Sequence, residues 1–446
     1  MKKLLAIMLV LSMVLGLAAC GTGNPSASTE SSAPAESAAE SKEEAAPAES
    51  TAESTEEAAP ADAAATGDDV FRIGVFVQLT GGIAVAGSNA NNAIKLAAKY
   101  INENGGFNGQ QVEIKTYDTT GSTEEAVKVV QKMLADDDVD AIIGSVNSNE
   151  VSACIQDINA AKVYNFGLGT SPAWMEDQSM IYTFRASANN GRIAPFSVDV
   201  VKDIMGYKNV AIINGTDDTG KSTADAFEAA CNEKGVTVAA REQCDTEDTD
   251  FTGQITKILA TDPDTIFLSL IGSTFGPFVK QCRNMGYKGT FLCKECFSQE
   301  YQQTANEGSG SDMLNADYIY FAYPYVAYEN IEDCDIPNVK EFLQNYYDEY
   351  GEMVQHESAY RGWDTMMVMW EASKIAGAND SESLREATHK VQIEGMGGKL
   401  DYTDGSREGY SEFKSFMLVG GKNYDLKTWM TDGGYDSYKE VTGRDR

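Results

Sequence analysis

Val70-Phe71-Arg72-Ile73-Gly74-Val75-Phe76-Val77 is a run of β-formers, and Leu79-Thr80-Gly81-Gly82 with Gly87 follows it as a glycine-rich loop. Residues 90–101 then place Ala93, Leu96, Ala97, Tyr100 and Ile101 at helical spacing, and Gly105-Gly106 ends the pattern as a C-cap does. Phe107-Asn108-Gly109-Gln110 turns the chain into a second β-run, Val112-Glu113-Ile114-Lys115-Thr116-Tyr117. Strand, helix and strand in this order form a βαβ unit, whose two strands lie parallel under a helix.

The same rhythm continues outward. Residues 123–134 read as an amphipathic helix and Ala141-Ile142-Ile143-Gly144 as a short buried strand. After an irregular stretch the alternation restarts with strands at 209–213, 236–240 and 265–270 and helices at 222–234, 251–259 and 275–285. A restart implies two lobes, and 446 residues exceed what one hydrophobic core serves. The expected fold is α/β, with two doubly wound parallel-sheet lobes. Residues 339–350 and 365–376 read as helices, and the tail as short strands and turns.

The N-terminus has a different character. Met1-Lys2-Lys3, an apolar run over residues 4–17 and then Ala18-Ala19-Cys20 make a secretory signal. The run is shorter than the roughly 20 apolar residues that span a bilayer. Leu17-Ala18-Ala19-Cys20 resembles a bacterial lipobox, which implies a lipidated Cys20 anchoring the protein outside the cell membrane. Residues 21–68 are mostly Ala, Ser, Thr, Glu and Pro without aromatic or large aliphatic side chains, so they are expected to form a disordered stalk.

A formal net charge of −33 with no basic stripe disfavours nucleic acid. Two histidines, His356 and His389, leave little for a histidine-based triad or a multi-histidine metal site. Gly215-Thr216-Asp217-Asp218-Thr219-Gly220-Lys221-Ser222 fits the phosphate-loop pattern, yet Asp217 and Asp218 would put carboxylates inside an anion cradle. The better reading is a turn with Asp and Thr capping a helix. Seven cysteines follow Cys20, and Cys293-Lys294-Glu295-Cys296 lacks the second pair or nearby His of a zinc site. Their pairing stays open, and neither a metal nor a cofactor is expected.

Several runs in order resemble type I periplasmic binding proteins, specifically the leucine/isoleucine/valine-binding group that feeds ABC importers. They are Ile73-Gly74-Val75 with the glycine loop, Tyr100-Ile101-Asn102-Glu103-Asn104-Gly105-Gly106-Phe107-Asn108-Gly109, Tyr117-Asp118, Ile142-Ile143-Gly144 with Ser148, Gly169-Thr170-Ser171-Pro172 and Gly362-Trp363-Asp364. The resemblance implies two lobes, residues 69–187 with about 319–400 and residues 188–318 with about 401–446, closing by hinge motion on a small ligand. It implies a binding protein and not an enzyme: a monomer that captures an amino acid, branched-chain or otherwise hydrophobic or aromatic, for a membrane permease. A sensing receptor of the same fold for another amino-acid-like, amide or carboxylate solute is the alternative.

Carried over by position, Ser148 falls on the hydroxyl that meets the ligand's α-carboxylate beside a helix N-terminus, where free N–H groups attract an anion. Thr170 and Ser171 fall on the next binding loop, and Glu295 on the acid opposite the α-ammonium. Ala86 and Thr219 stand where the family often has aromatic walls, which implies a roomier or differently lined pocket. Ser148 and Ser171 also suit helix caps, and Glu295 a solvated strand end.

Overall fold

The structure, a computed structural model, describes residues 70–135, 138–310 and 313–445. The signal, Cys20 and the stalk lie outside the described residues. The chain opens with β1 (Val70–Val77), α1 (Ala84–Glu103), β2 (Gln111–Asp118), α2 (Thr123–Ala135), β3 (Ala141–Gly144), α3 (Ser148–Ala160), β4 (Tyr164–Phe166) and β5 (Thr183–Phe184). These strands form one all-parallel sheet in the order β2-β1-β3-β4-β5.

A second run follows: α4 (Asn190–Asp199), β6 (Asn209–Gly215), α5 (Asp218–Lys234), β7 (Thr237–Cys244), α6 (Thr252–Leu259), β8 (Thr265–Ser269), α7 (Phe275–Asn284), β9 (Thr290–Cys293), α8 (Gln299–Asn306) and β10 (Ile319–Tyr323). The remainder is α9 (Pro337–Tyr350), α10 (Ser358–Ala376), α11 (Ser381–Thr388), the hairpin β11 (Gln392–Gly395) and β12 (Gly398–Asp401), β13 (Lys414–Val419), β14 (Lys422–Asp425), α12 (Leu426–Thr431) and α13 (Gly434–Thr442). The larger sheet runs β14-β13-β10-β9-β8-β6-β7, parallel except for the β13–β14 hairpin added antiparallel at one edge.

Both sheets are covered on both faces, as the apolar strand sequences require. In β6, Ala211 and Ile213 join one core while Val210 and Ile212 join another beneath α5 and the C-terminal helices. Gly362 lets α10 lie directly on α1, because a Cβ there would stand 2.6 Å from the Ala90 carbonyl oxygen. Trp363 packs on Tyr100 and Phe342.

The chain passes between the sheets three times, and the passages lie together. Arg185 donates its N–H to the Arg407 carbonyl at 2.9 Å, and its own carbonyl accepts from Gly409 N–H and the Tyr402 hydroxyl. Asp364 accepts from Tyr325 and Tyr410, one from each of the other two passages, and from Met396 N–H.

Three expectations change at this level. The strand Ile319–Tyr323 pairs with β9 and β13, so the return expected at 319 comes after Tyr323, and the larger sheet resumes at Lys414, not at 401. The first helix begins at Ala84, inside the stretch read as a glycine loop. The tail carries two helices, with Asp425 capping the first through Thr428 N–H at 2.9 Å. Among the described residues, no helix is long and apolar enough to cross a membrane.

Candidate functional site

A cleft lies at the C-terminal ends of the parallel strands of both sheets. Open α/β sheets present ligand sites at this end, where loops and helix N-termini converge. Ile83, Ala86, Asn147, Ser148 and Thr170 line it from the smaller sheet; Asp217, Thr219, Ile271, Lys294, Glu295 and Tyr301 line it from the larger one. His356, just before α10, and Arg361, in its first turn, complete the wall.

On the first side, Asn147 caps α3 by accepting from Asn149 N–H at 3.0 Å, which leaves Ser148 as the helix's first residue. Ser148 is almost wholly buried, and its Oγ accepts from Ser171 N–H at 3.2 Å. Gly169 is required beside it, since a Cβ there would stand 2.5 Å from Ser148 Oγ. Thr170 reaches the cleft, but its carbonyl is taken by Asn190 N–H and by Arg185. Ser171 is buried behind the wall: its hydroxyl bonds Ser222 Oγ on α5 at 2.8 Å. Ser171 thus ties the two sides of the cleft together and does not line it.

On the other side the charges are dense. Glu295 is buried, as a lone ligand-binding acid is expected to be, but it is not alone. Lys294 Nζ lies 2.8 Å from its Oε2, Arg361 Nη2 lies 3.6 Å from the same oxygen, and the Tyr301 hydroxyl donates to Oε1 at 3.2 Å. Burial opposes the charge of Glu295, yet Lys294 and Arg361 outweigh it and hold the carboxyl below its ordinary pKa. Arg361 also pairs with Glu357 through two N–H groups and donates to the Leu168 carbonyl and the Tyr323 hydroxyl.

The hydrogen bonds fix the protonation of His356. Its Nδ1 accepts from Ser358 N–H at 3.1 Å, so the neutral ring carries its proton on Nε2, 2.9 Å from the Tyr301 oxygen. The Tyr301 hydroxyl in turn donates to Glu295 Oε1. Burial, with Arg361 and Lys294 nearby, pushes the His356 pKa down to about 3 against the pull of Glu295.

Glu295, His356 and Glu357 lie close enough to hold a metal ion. The donor set argues against one: Lys294 and Arg361 already balance both carboxylates, and both ring nitrogens of His356 are engaged.

Asp217 caps α5 by accepting from Gly220 N–H at 2.9 Å, while its Oδ2 is buried without a hydrogen-bond partner among the described residues. The phosphate-loop pattern therefore spends an amide on its own carboxylate. Lys294, Asp217, Tyr301, His356 and Arg361 also line the cleft, and of these only Lys294 has a local sequence signal, its place beside Glu295. The seven described cysteines are free and buried.

The chain belongs to the periplasmic binding protein family, whose model matches residues 70–418. This is a family of binding proteins and not of enzymes. An amino acid binding protein of Pseudomonas aeruginosa is 25% identical over 220 residues, 49% of this chain and 59% of that protein. Leu/Ile/Val-binding protein homolog 3 of Brucella melitensis is 26% identical over 229 residues, 51% of this chain and 61% of its own. The chain thus spans about three-fifths of these curated relatives. A solute binding protein of an ABC transporter from R. palustris, in complex with benzoate, superposes with a TM-score of 0.70 at 17% identity, covering 80% of this chain and 95% of that one. Its fold is the fold found here.

Proposed function

We propose that this protein captures a small carboxylate-bearing solute of amino-acid size outside the cell membrane and hands it to an ABC permease. The two lobes, divided at the three passages, close on the solute, with lipidated Cys20 holding the monomer at the membrane. The observation that carries this reading is a single cleft lined from both sheets, with Ser148 and the α3 N-terminus on one side of it. A helix N-terminus favours an anion through its dipole. Thr170, Ala86 and Thr219 would shape the space around the rest of the solute.

The names of the relatives support the amino-acid class. One observation favours the alternative, a carboxylate or amide without an ammonium: the cation opposite Glu295 is already present as Lys294. Thermal shift with paired panels of amino acids and related carboxylic acids tests the reading. A ligand at a hundredfold excess over its Kd stabilises by about 2.7 kcal/mol. A panel in which no small carboxylate of either kind moves the transition contradicts it.

A further inference from the structure

We propose that Lys294 occupies the place of a ligand ammonium, so that the cleft takes carboxylic acids bearing an acceptor at C2, such as 2-oxo and 2-hydroxy acids, in preference to α-amino acids. The inference rests on the carboxylate-capture reading above and names its substrate class.

The charge of Glu295 is already balanced by its neighbours. Its two oxygens hold Lys294, Tyr301 and Arg361, and all four side chains are buried. An ammonium brought to Glu295 would either displace Lys294 Nζ from 2.8 Å or add a third cation beside Lys294 and Arg361, against the two carboxylates Glu295 and Glu357. A buried charge without a partner is costly, so either course is unfavourable.

Lys294 itself has capacity to spare. An ammonium carries three N–H donors, and among the described residues Nζ gives one hydrogen bond, to Glu295. Its side chain is 2% exposed, with the Phe275 ring 5.7 Å from Nζ on one side, and its remaining donors face the cleft it lines. Buried donors need acceptors. With the ligand carboxylate at Ser148 and the α3 N-terminus, the neighbouring carbon meets a donor where an amino-acid site presents an acceptor. A carbonyl or hydroxyl oxygen at C2 satisfies that donor; an ammonium opposes it.

Asp217 is the competing partner, since its Oδ2 is buried without a hydrogen bond and an ammonium there would keep the amino-acid preference. It is bound on one side to the α5 amide it caps, and it shares the cleft with Lys294.

The test is calorimetry on the whole protein with matched series: leucine, 4-methyl-2-oxopentanoate, 2-hydroxy-4-methylpentanoate and 4-methylpentanoate, and the corresponding phenylalanine set. The oxo or hydroxy acid is expected to bind at least about tenfold tighter than its amino acid, and Lys294→Met to narrow or reverse that ratio. An amino acid binding as tightly as its oxo acid overturns the inference and leaves the capture reading standing. Binding by neither series removes the capture reading and the inference with it. Because the ratio is read first on the unaltered protein, a failure of Lys294→Met to fold leaves the test intact. Asp217→Asn, which keeps the cap, then shows whether Asp217 holds any ammonium that binds.

Discussion

The two walls of the cleft are built from the same β-loop-α unit and end in opposite chemistry. On the smaller-sheet wall, Ser148 and Thr170 are neutral and the helix N-terminus of α3 supplies the field. On the larger-sheet wall, Lys294 and Glu295 bring full charges, Arg361 reaches across to Glu295 and His356 to Tyr301. The neutral wall is poised for an anion and loses little when empty. The charged wall satisfies itself, so the ligand must fit the capacity that remains. Selectivity therefore belongs to the second wall, and general affinity for carboxylates to the first.

Removing the charged wall's anchor should have the largest effect. Arg361→Ala leaves Glu357 buried without its cation and is expected to cost about 3–5 kcal/mol of stability in urea unfolding. A loss below about 1 kcal/mol would mean that the pair is not buried as described. Next comes the neutral wall: Gly169→Ala drives a methyl into Ser148 and should destabilise by about 1–3 kcal/mol, with carboxylate binding weakened. Ser148→Ala, with no clash, should weaken carboxylate binding several-fold and cost about 1 kcal/mol of stability, because the buried Ser171 N–H loses its acceptor. Equal loss from both substitutions would remove the distinction between a wall that is shaped and a wall that binds.

A pH series sharpens the charged wall. The unfolded chain protonates a histidine near 6.5, whereas His356 in the fold stays neutral down to about 3. Its contribution to stability is therefore whole above pH 6.5 and is lost as pH falls from there toward 3. Asp364 acts in the opposite direction, because burial raises it to about 7 against its three hydrogen bonds, so its contribution falls as pH rises through that range. The difference between wild type and His356→Gln isolates the histidine. That difference should shrink on acidification and be constant above pH 7. The smallest expected effect is Asp217→Asn, which preserves the α5 cap and should change stability by a few tenths of a kcal/mol.

Strands β1–β3 and β6–β8, with the helices beside them, were legible because apolar periodicity is local. Their partners were not: β10 looks like any buried strand, and nothing within residues 319–323 tells which sheet receives it. The start of α1 was hidden by Gly81, Gly82 and Gly87, which read as a loop although Gly87 is buried in the helix. The C-terminal helices had usable signals in Asp425 and in Gly433 and Gly443. At the site, position alone carried Ser148, Thr170, Ala86, Thr219 and Glu295 to the cleft. Ser171 faces away because its hydroxyl has a better partner in Ser222, far along the chain. The pairing of Glu295 was missed for a similar reason. Arg361 and His356 arrive from a helix some sixty residues later, and only Lys294 was adjacent in sequence.

A crystal structure of the protein with a small carboxylate that it binds tests the account most directly. The account predicts the carboxylate within hydrogen-bond distance of Ser148 Oγ or the first amides of α3, with Lys294 still on Glu295 and an acceptor of the ligand turned toward Nζ. A ligand seated outside the cleft, or one whose ammonium has displaced Lys294 from Glu295, would contradict it.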